Sequence, residues 1–373
     1  MSRLLSRYVL SVVVAALLTA CVLRQPQDDM QPPIGAPGGI AQSRLIAAAT
    51  DNASYKVLFT FGARCPRTRC PYGAYPEAPL VEAGGMLYGT ALEGGRHGHG
   101  TVFSIAPGGP LIVLHGFRYG ADGNRTDGGY PSARLIDVSD MLYGTTRRGG
   151  AYNGGTVFSI TPTGKEKVLY SFGNGTDGID PAAPLIELNG TFYGTTIHGG
   201  SGYGTVFPIT PSGTEKVLYS FAGGTDGAYP SSPLVEVNGT LYGATGEGGG
   251  TGCSAGNGCG TVYSITLSGS EKVLYRFVTG TGGVNPSGGL IDVNGTLYGT
   301  TAFGGAVQKC GGGGCGTVYS ITTAGSENVL HSFGNGHDGI GPYTGLIKVK
   351  GKLYGTTQNG GAYNRGTIFS VRR

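Results

Sequence analysis

The tripeptide Leu-Tyr-Gly, or Phe-Tyr-Gly, recurs six times in this chain, with its tyrosine at Tyr88, Tyr143, Tyr193, Tyr242, Tyr298 and Tyr354. The spacings are 55, 50, 49, 56 and 56 residues. A repeat of that length is one supersecondary unit that buries its apolar faces only against another copy, so the chain must build a stacked array or a ring. Each copy holds four short β-type segments in fixed order. Around Tyr242 they read PLVEV, TLYGAT, GTVYSIT and EKVLYRF. Four strands per unit is the signature of a propeller blade.

The connections divide into two kinds. Between the first and second segments stand LNGTF and VNGTL, where Asn-Gly supplies the positive φ angles of a type I′ hairpin, and VKGKL, with Lys-Gly in the same place. Short polar turns such as TPTGKEK and TPSGTEK join the third segment to the fourth. The other two connections are longer and more variable: GTDGxxP stretches before the first segment and Gly-rich stretches after the second. In a propeller these variable connections share one face, and a ligand site is expected there, near the mouth of the central channel.

Alternation along LYGT and TVFSI sets Tyr or Phe on one side of a strand and small or aliphatic residues on the other. Both sides suit burial, and the aromatic face of one blade is expected to fit the small-residue face of the next. The repeat region opens with a lone fourth-type segment, residues 56–61, and closes with a third-type segment, GTIFSV, that lacks its own fourth. The expected fold is all-β: a six-bladed β-propeller of four-stranded antiparallel blades, its ring closed by pairing the N-terminal strand with the last blade.

On the repeated VLYSF, GTDG, P, NG-LYGTT, GG and GTVFSI, the chain resembles the GloVer tandem-repeat family of exported bacterial proteins over residues 56–373. The resemblance implies a repeat fold outside the cytoplasm and transfers no activity. The first unit departs from the pattern with CPYGAYP and the fifth with GTGGVNP, both lacking the Asp of GTDG. Six equivalent binding sites are therefore not expected.

Arg3 and Arg7 precede an apolar run over residues 8–18 that is too short to span a bilayer, and small residues then lead into Cys21. The segment LTAC resembles a bacterial lipobox. It implies a lipoprotein signal peptide over 1–20, diacylglycerol on Cys21 and, with no Asp after it, the outer membrane. Residues 21–53 read as the lipidated Cys and a flexible tether reaching roughly 30 Å, and 54–373 as the propeller. Of the 26 basic and 22 acidic residues, the leader removes only Arg3 and Arg7, so the mature chain is nearly neutral. It has no basic stripe to recruit nucleic acid.

Six further cysteines fall into local pairs in variable connections: Cys65 with Cys70, Cys253 with Cys259, Cys310 with Cys315. In an oxidising compartment these are disulfides, each worth about 2 kcal/mol in the chain-entropy model. Asp127, Asp177, Asp226 and Asp338 precede Gly in the GTDG-type loops and are candidates to line the ligand face. An Asp before Gly also caps its own turn, and that is the simpler role. DGNRTD, residues 122–127, distantly resembles a calcium loop but lacks its Gly and terminal Glu. Zinc on the cysteine pairs is the competing reading of those residues, but they lie in different units with no His nearby, so apart from Ca2+ at this loop no metal site or cofactor is expected. His97 and His99 in RHGHG read as a polar loop. No nucleophile elbow, phosphate loop or HExxH is present.

The function expected is that of an envelope-anchored binding or scaffold module for an unidentified protein or glycan. A propeller hydrolase, lyase or lactonase with a site at the channel mouth, and a structural envelope protein, are the alternatives.

Overall fold

In a computed structural model that describes residues 57–61, 70–118, 127–250, 252–253, 256–307, 309–310 and 313–372, each repeat folds into one antiparallel sheet with its strands in chain order. Unit one consists of Val81–Ala83, Met86–Ala91, Thr101–Ile105 and Leu111–Gly116. Units two to five repeat this four-stranded sheet, and unit six contributes three strands, Ile347–Val349, Lys352–Thr357 and Thr367–Arg372. No α-helix occurs among the described residues. The Asn-Gly turns take the expected conformation, with φ of 52° and 77° at Asn189 and Gly190 and 51° and 77° at Asn238 and Gly239. Two left-handed central residues match the twist of the strands they join.

The glycine of Leu-Tyr-Gly has a steric cause. In the ladder between second and third strands, Gly89 opposes Phe103, Gly194 opposes Phe207 and Gly243 opposes Tyr263. Each ring lies over the glycine opposite it: a Cβ on Gly194 would stand 2.6 Å from Phe207 Cζ and 2.8 Å from Leu185 Cδ2. The small residue is thus covered by an aromatic of its own sheet, not by the neighbouring blade as alternation alone suggests. Between sheets, aromatic meets aromatic. The Phe that ends each fourth segment packs edge-on to the next unit's third-strand ring, as in Phe172 to Phe207 (4.8 Å) and Phe221 to Tyr263 (5.0 Å). These rings are essentially without solvent exposure and form the core of each seam.

A second device fixes the seams. The residue before the recurring proline of each unit takes a left-handed backbone, with φ between 56° and 66° at Tyr75, Tyr130, Asp180, Tyr229, Asn285 and Gly341. From unit two onward its N–H donates to the preceding unit's loop and its C=O accepts from its own unit, as in Asp180 to Gly154 (2.8 Å) and Ile197 to Asp180 (3.0 Å). The adjoining proline ring then presses on the glycine that opens the preceding third strand, so a Cβ on Gly155 would lie 2.6 Å from Pro181 Cδ. Only glycine fits there, both for space and for its φ of 99°.

Pro208 explains one irregular sheet. It stands in the third strand of unit three, where the corresponding Ser159 pairs with Lys167 in unit two. Its carbonyl still accepts from Lys216 at 3.2 Å, but it has no N–H to return, and the fourth strand shrinks to Tyr219–Ser220.

At the chain ends, residues 57–61 form no strand and pair with no sheet among the described residues. Phe61 nevertheless packs on Phe103 at 5.3 Å, the seam contact made by Phe117, Phe172, Phe221, Phe277 and Phe333 in later units. Ile368 in the last strand is 83% exposed, whereas its counterparts Val102, Val157, Val206, Val262 and Val318 are fully buried beside a fourth strand. The expected pairing of the segment near Val57 with that near Ile368 is therefore not seen, because the last sheet's outer edge carries no partner strand among the described residues.

Candidate site on the variable loops and seams

The two variable connections of each unit lie side by side. Gly128–Gly129 pairs with Arg148–Gly149, Gly178–Ile179 with His198–Gly199, and Gly227–Ala228 with Glu247–Gly248, each joining the loop before the first strand to the loop after the second. The exposed aromatic side chains among the described residues, Tyr72, Tyr75, Tyr152, Tyr203, Phe303 and Tyr363, all belong to these connections. None sits on a tight turn. Aromatic rings in water are unfavourable unless a partner covers them, and they are enriched where proteins make contacts.

The residue before proline brings further side chains to the seams. His99 Nδ1 lies 3.2 Å from the Tyr130 hydroxyl, and burial together with the charge of His97 lowers the His99 pKa. Tyr229 meets His198 edge-on at 5.3 Å and Tyr203 at 6.0 Å. Asp180 is 2% exposed and receives Arg147 through two parallel bonds, from Nε at 2.8 Å and Nη2 at 2.9 Å. Of the histidine pair noted in the sequence, His99 is thus a seam residue. Arg147, Asp180, His198 and Tyr229 were not singled out there; the position before proline, varying among Tyr, Asp, Asn and Gly in an otherwise fixed motif, marks Asp180 and Tyr229, and Arg147 and His198 are the side chains that meet them.

The four candidate aspartates occupy equivalent places, each engaged within its own seam. Asp226 accepts the N–H of Gly227 (2.7 Å) and of Ala222 (2.9 Å), and the Tyr219 hydroxyl donates to it at 2.9 Å. Asp177 accepts from Gly173 and Tyr170, both at 2.9 Å. In the outer units the phenol is replaced by imidazole: His115 Nε2 lies 3.2 Å from Asp127 Oδ2, and His331 Nε2 lies 2.8 Å from Asp338 Oδ2. Turn capping is real here, and a side chain from the end of the preceding fourth strand joins it.

A glutamate at the start of the next unit's fourth segment completes three of these groups: Glu166 beside His115 and Asp127, Glu215 beside Tyr170 and Asp177, Glu271 beside Tyr219 and Asp226. One oxygen of each glutamate, and of Glu327, is buried with no hydrogen-bond partner. Burial is the main reason that Glu166, Glu215 and Glu271 are pushed up to about 7, with the adjacent aspartate charge adding to it. Burial alone would lower the His115 pKa, but the hydrogen bond and charge of Asp127 outweigh it and raise it.

These glutamates give stability a definite pH dependence. A carboxyl whose folded pKa exceeds its unfolded value binds more protons when folded, so stability is highest below the unfolded value near 4.3 and declines as pH rises to about 7. Thermal melts are expected to show a higher midpoint at about pH 5 than at about pH 8, and Glu215→Gln with Glu271→Gln to flatten that difference. An unchanged slope in the double variant would show that other groups set it.

The disulfides Cys253–Cys259 and Cys310–Cys315 are formed, with Cα atoms 5.1 and 5.3 Å apart, each pinning a Gly-rich variable loop. Cys70 is disulfide-bonded as well, while Cys65, Cys21 and the remainder of DGNRTD before Asp127 lie outside the described residues. Disulfides of this kind persist in oxidising compartments and suggest an extracytoplasmic protein. No helix among the described residues is long and apolar enough to cross a membrane.

Compared with known families, the chain matches the Gloeobacter/Verrucomicrobia repeat over residues 45–256 and 250–373. No curated protein matches it. Among solved structures it is similar to a GH74 enzyme of Niastella koreensis, at 17% identity and a TM-score of 0.49, with 79% of this chain and 44% of that one covered. It is also similar to the tricorn protease (13% identity, TM-score 0.41, 78% and 25% covered) and to a gluconolactonase of Xanthomonas campestris (13%, 0.41, 77% and 82%). The chain thus spans less than half the length of the first two.

Proposed function

This chain belongs to the Gloeobacter/Verrucomicrobia repeat family, and from that premise we propose that it is a binding module of the cell envelope, held there by lipid on Cys21 and engaging a glycan or protein through its variable-loop face. The observation that carries this reading is the confinement of exposed aromatic side chains to those loops. Backbone strain supports it. At the left-handed position before proline, glycine is the least strained choice and unit six uses it, as Gly341. The other units place Tyr, Asp or Asn there at an energetic cost; Tyr75 is exposed on the face, whereas Asp180 is buried against Arg147.

Tyr130→Gly with Tyr229→Gly adopts what Gly341 already does, so the fold is expected to stand and the melting temperature to hold or rise. Surface-immobilised mature protein, offered envelope extract and a glycan array, is expected to retain a partner that the double variant releases. Equal retention by both proteins would remove this face from consideration.

The repeat region is further read as a closed six-bladed propeller, in which residues 56–61 supply the last blade's fourth strand. Phe61 on Phe103 supports this, since it repeats the contact that a fourth segment makes with the next unit. By the register of Tyr170 with Val157 in unit two, Phe59 then faces Ile368. A Phe59→Cys/Ile368→Cys variant is expected to form a disulfide detectable by peptide mapping; free thiols at both positions after oxidation would mean an open array.

A further inference from the structure

We propose that His115, Asp127 and Glu166 form a divalent metal site of the zinc type on the seam between units one and two. One ligand atom from each lies within 4.8 Å of the other two, and His115 Nε2 and Asp127 Oδ2 are already 3.2 Å apart. Nitrogen and oxygen ligands stand about 2.0 to 2.2 Å from tetrahedral zinc, so small side-chain rotations bring all three to bonding distance. The donor set suits a borderline dication. One imidazole and two carboxylates balance its charge, and imidazole favours a transition ion over calcium or magnesium.

The surroundings are built for such an ion. Asp127 is oriented by N–H donors from Arg118 at 2.9 Å and Gly128 at 2.7 Å, the outer support that metal carboxylates use. Glu166 directs a buried oxygen with no hydrogen-bond partner into the same seam. His115 and Asp127 keep 22% and 14% of their side-chain surface open, which lets an ion enter and a water complete its coordination.

The other copies serve as internal controls. The next two seams keep both carboxylates but replace imidazole by Tyr170 and Tyr219, whose hydroxyls donate to Asp177 and Asp226 and are held protonated by burial. Further along, Gly282 stands where the aspartate would be, its added Cβ 3.2 Å from the Tyr275 hydroxyl. His331 and Asp338 keep the pair without a glutamate beside them among the described residues. Before unit one, the corresponding Phe59 packs on Tyr72 at 5.2 Å and on the cluster containing Leu111. One backbone frame is thus used five ways, and among the described residues one of them gathers three candidate ligands.

The test is isothermal titration of zinc sulfate into chelator-treated mature protein near neutral pH. The wild type is expected to bind one equivalent, and His115→Tyr, which rebuilds the seam as units two and three have it, to weaken binding at least about 100-fold with its melting temperature preserved. Glu166→Gln, isosteric and free of charge, is the second variant and is expected to lose binding too. His99→Ala is expected to bind as the wild type does. No zinc uptake by the wild type, or full uptake by both His115→Tyr and Glu166→Gln, would overturn the site.

Discussion

Gly194→Ala is expected to lower the unfolding free energy of the protein by about 2 to 3 kcal/mol, read as a drop in the urea midpoint. On backbone grounds alone the change should help, because alanine in a strand gains roughly 0.5 to 1 kcal/mol over glycine. Sterics decide the sign. The new methyl would stand 2.6 Å from Phe207 Cζ and 2.8 Å from Leu185 Cδ2, and both side chains are fully buried in a packed seam with nowhere to go. The ring that must move is also the one that Phe172 packs against at 4.8 Å, so the disturbance crosses into the preceding sheet. Gly194→Ala with Phe207→Leu should cost less than the sum of the two single changes, since the shorter side chain vacates the space the methyl needs. Strict additivity, or a neutral Gly194→Ala, would mean that the ring does not hold this position in solution.

The second large effect concerns Arg147 and Asp180. Arg147→Ala is expected to destabilise by about 2 to 3 kcal/mol: loss of a partner strands a buried carboxylate, a change that costs about 3 to 5 kcal/mol where both partners are fully enclosed, and Arg147 is 39% exposed. Asp180→Gly should be close to neutral, because it removes the charge and relieves a left-handed backbone of 65° in one step. The double variant should then resemble Asp180→Gly, with Arg147 harmless to delete once the aspartate is gone. Urea unfolding of the four proteins measures the coupling. Equal losses for Arg147→Ala with and without Asp180 would show that the guanidinium stabilises through packing and not through the pair.

The repeat was legible because its causes are local. Asn189-Gly190 demands its turn whatever surrounds it, and four alternating segments between such turns make a four-stranded sheet. Two of the cysteine pairs were legible too, since partners only six and five positions apart in a Gly-rich loop leave few alternatives. The seams were not. The imidazole of His115 meets a glutamate 51 residues further on, and Asp180 meets an arginine 33 residues back, contacts that depend on how one sheet leans on the next. Nothing in the neighbourhood of Glu166 distinguishes it from a solvated charge at the start of an edge strand. Likewise, alternation showed that Gly194 borders something bulky, but not that the bulk was Phe207 of its own sheet.

By itself, then, the chain's amino-acid order determined the unit: its strands, its tight turns, the sidedness of its loops and the pairing of Cys253 and Cys310 with their near neighbours. Tertiary structure decided what happens between units. It placed aromatic on aromatic, chose which carboxylates lose water, and turned one seam frame into a histidine–aspartate pair, a phenol network and a cluster of His115, Asp127 and Glu166. The division has a physical origin. Backbone conformation and hydrogen bonding within a sheet are set over a few residues, whereas burial, and with it the charge state of Glu166 or the fate of Asp180, exists only once two sheets have met.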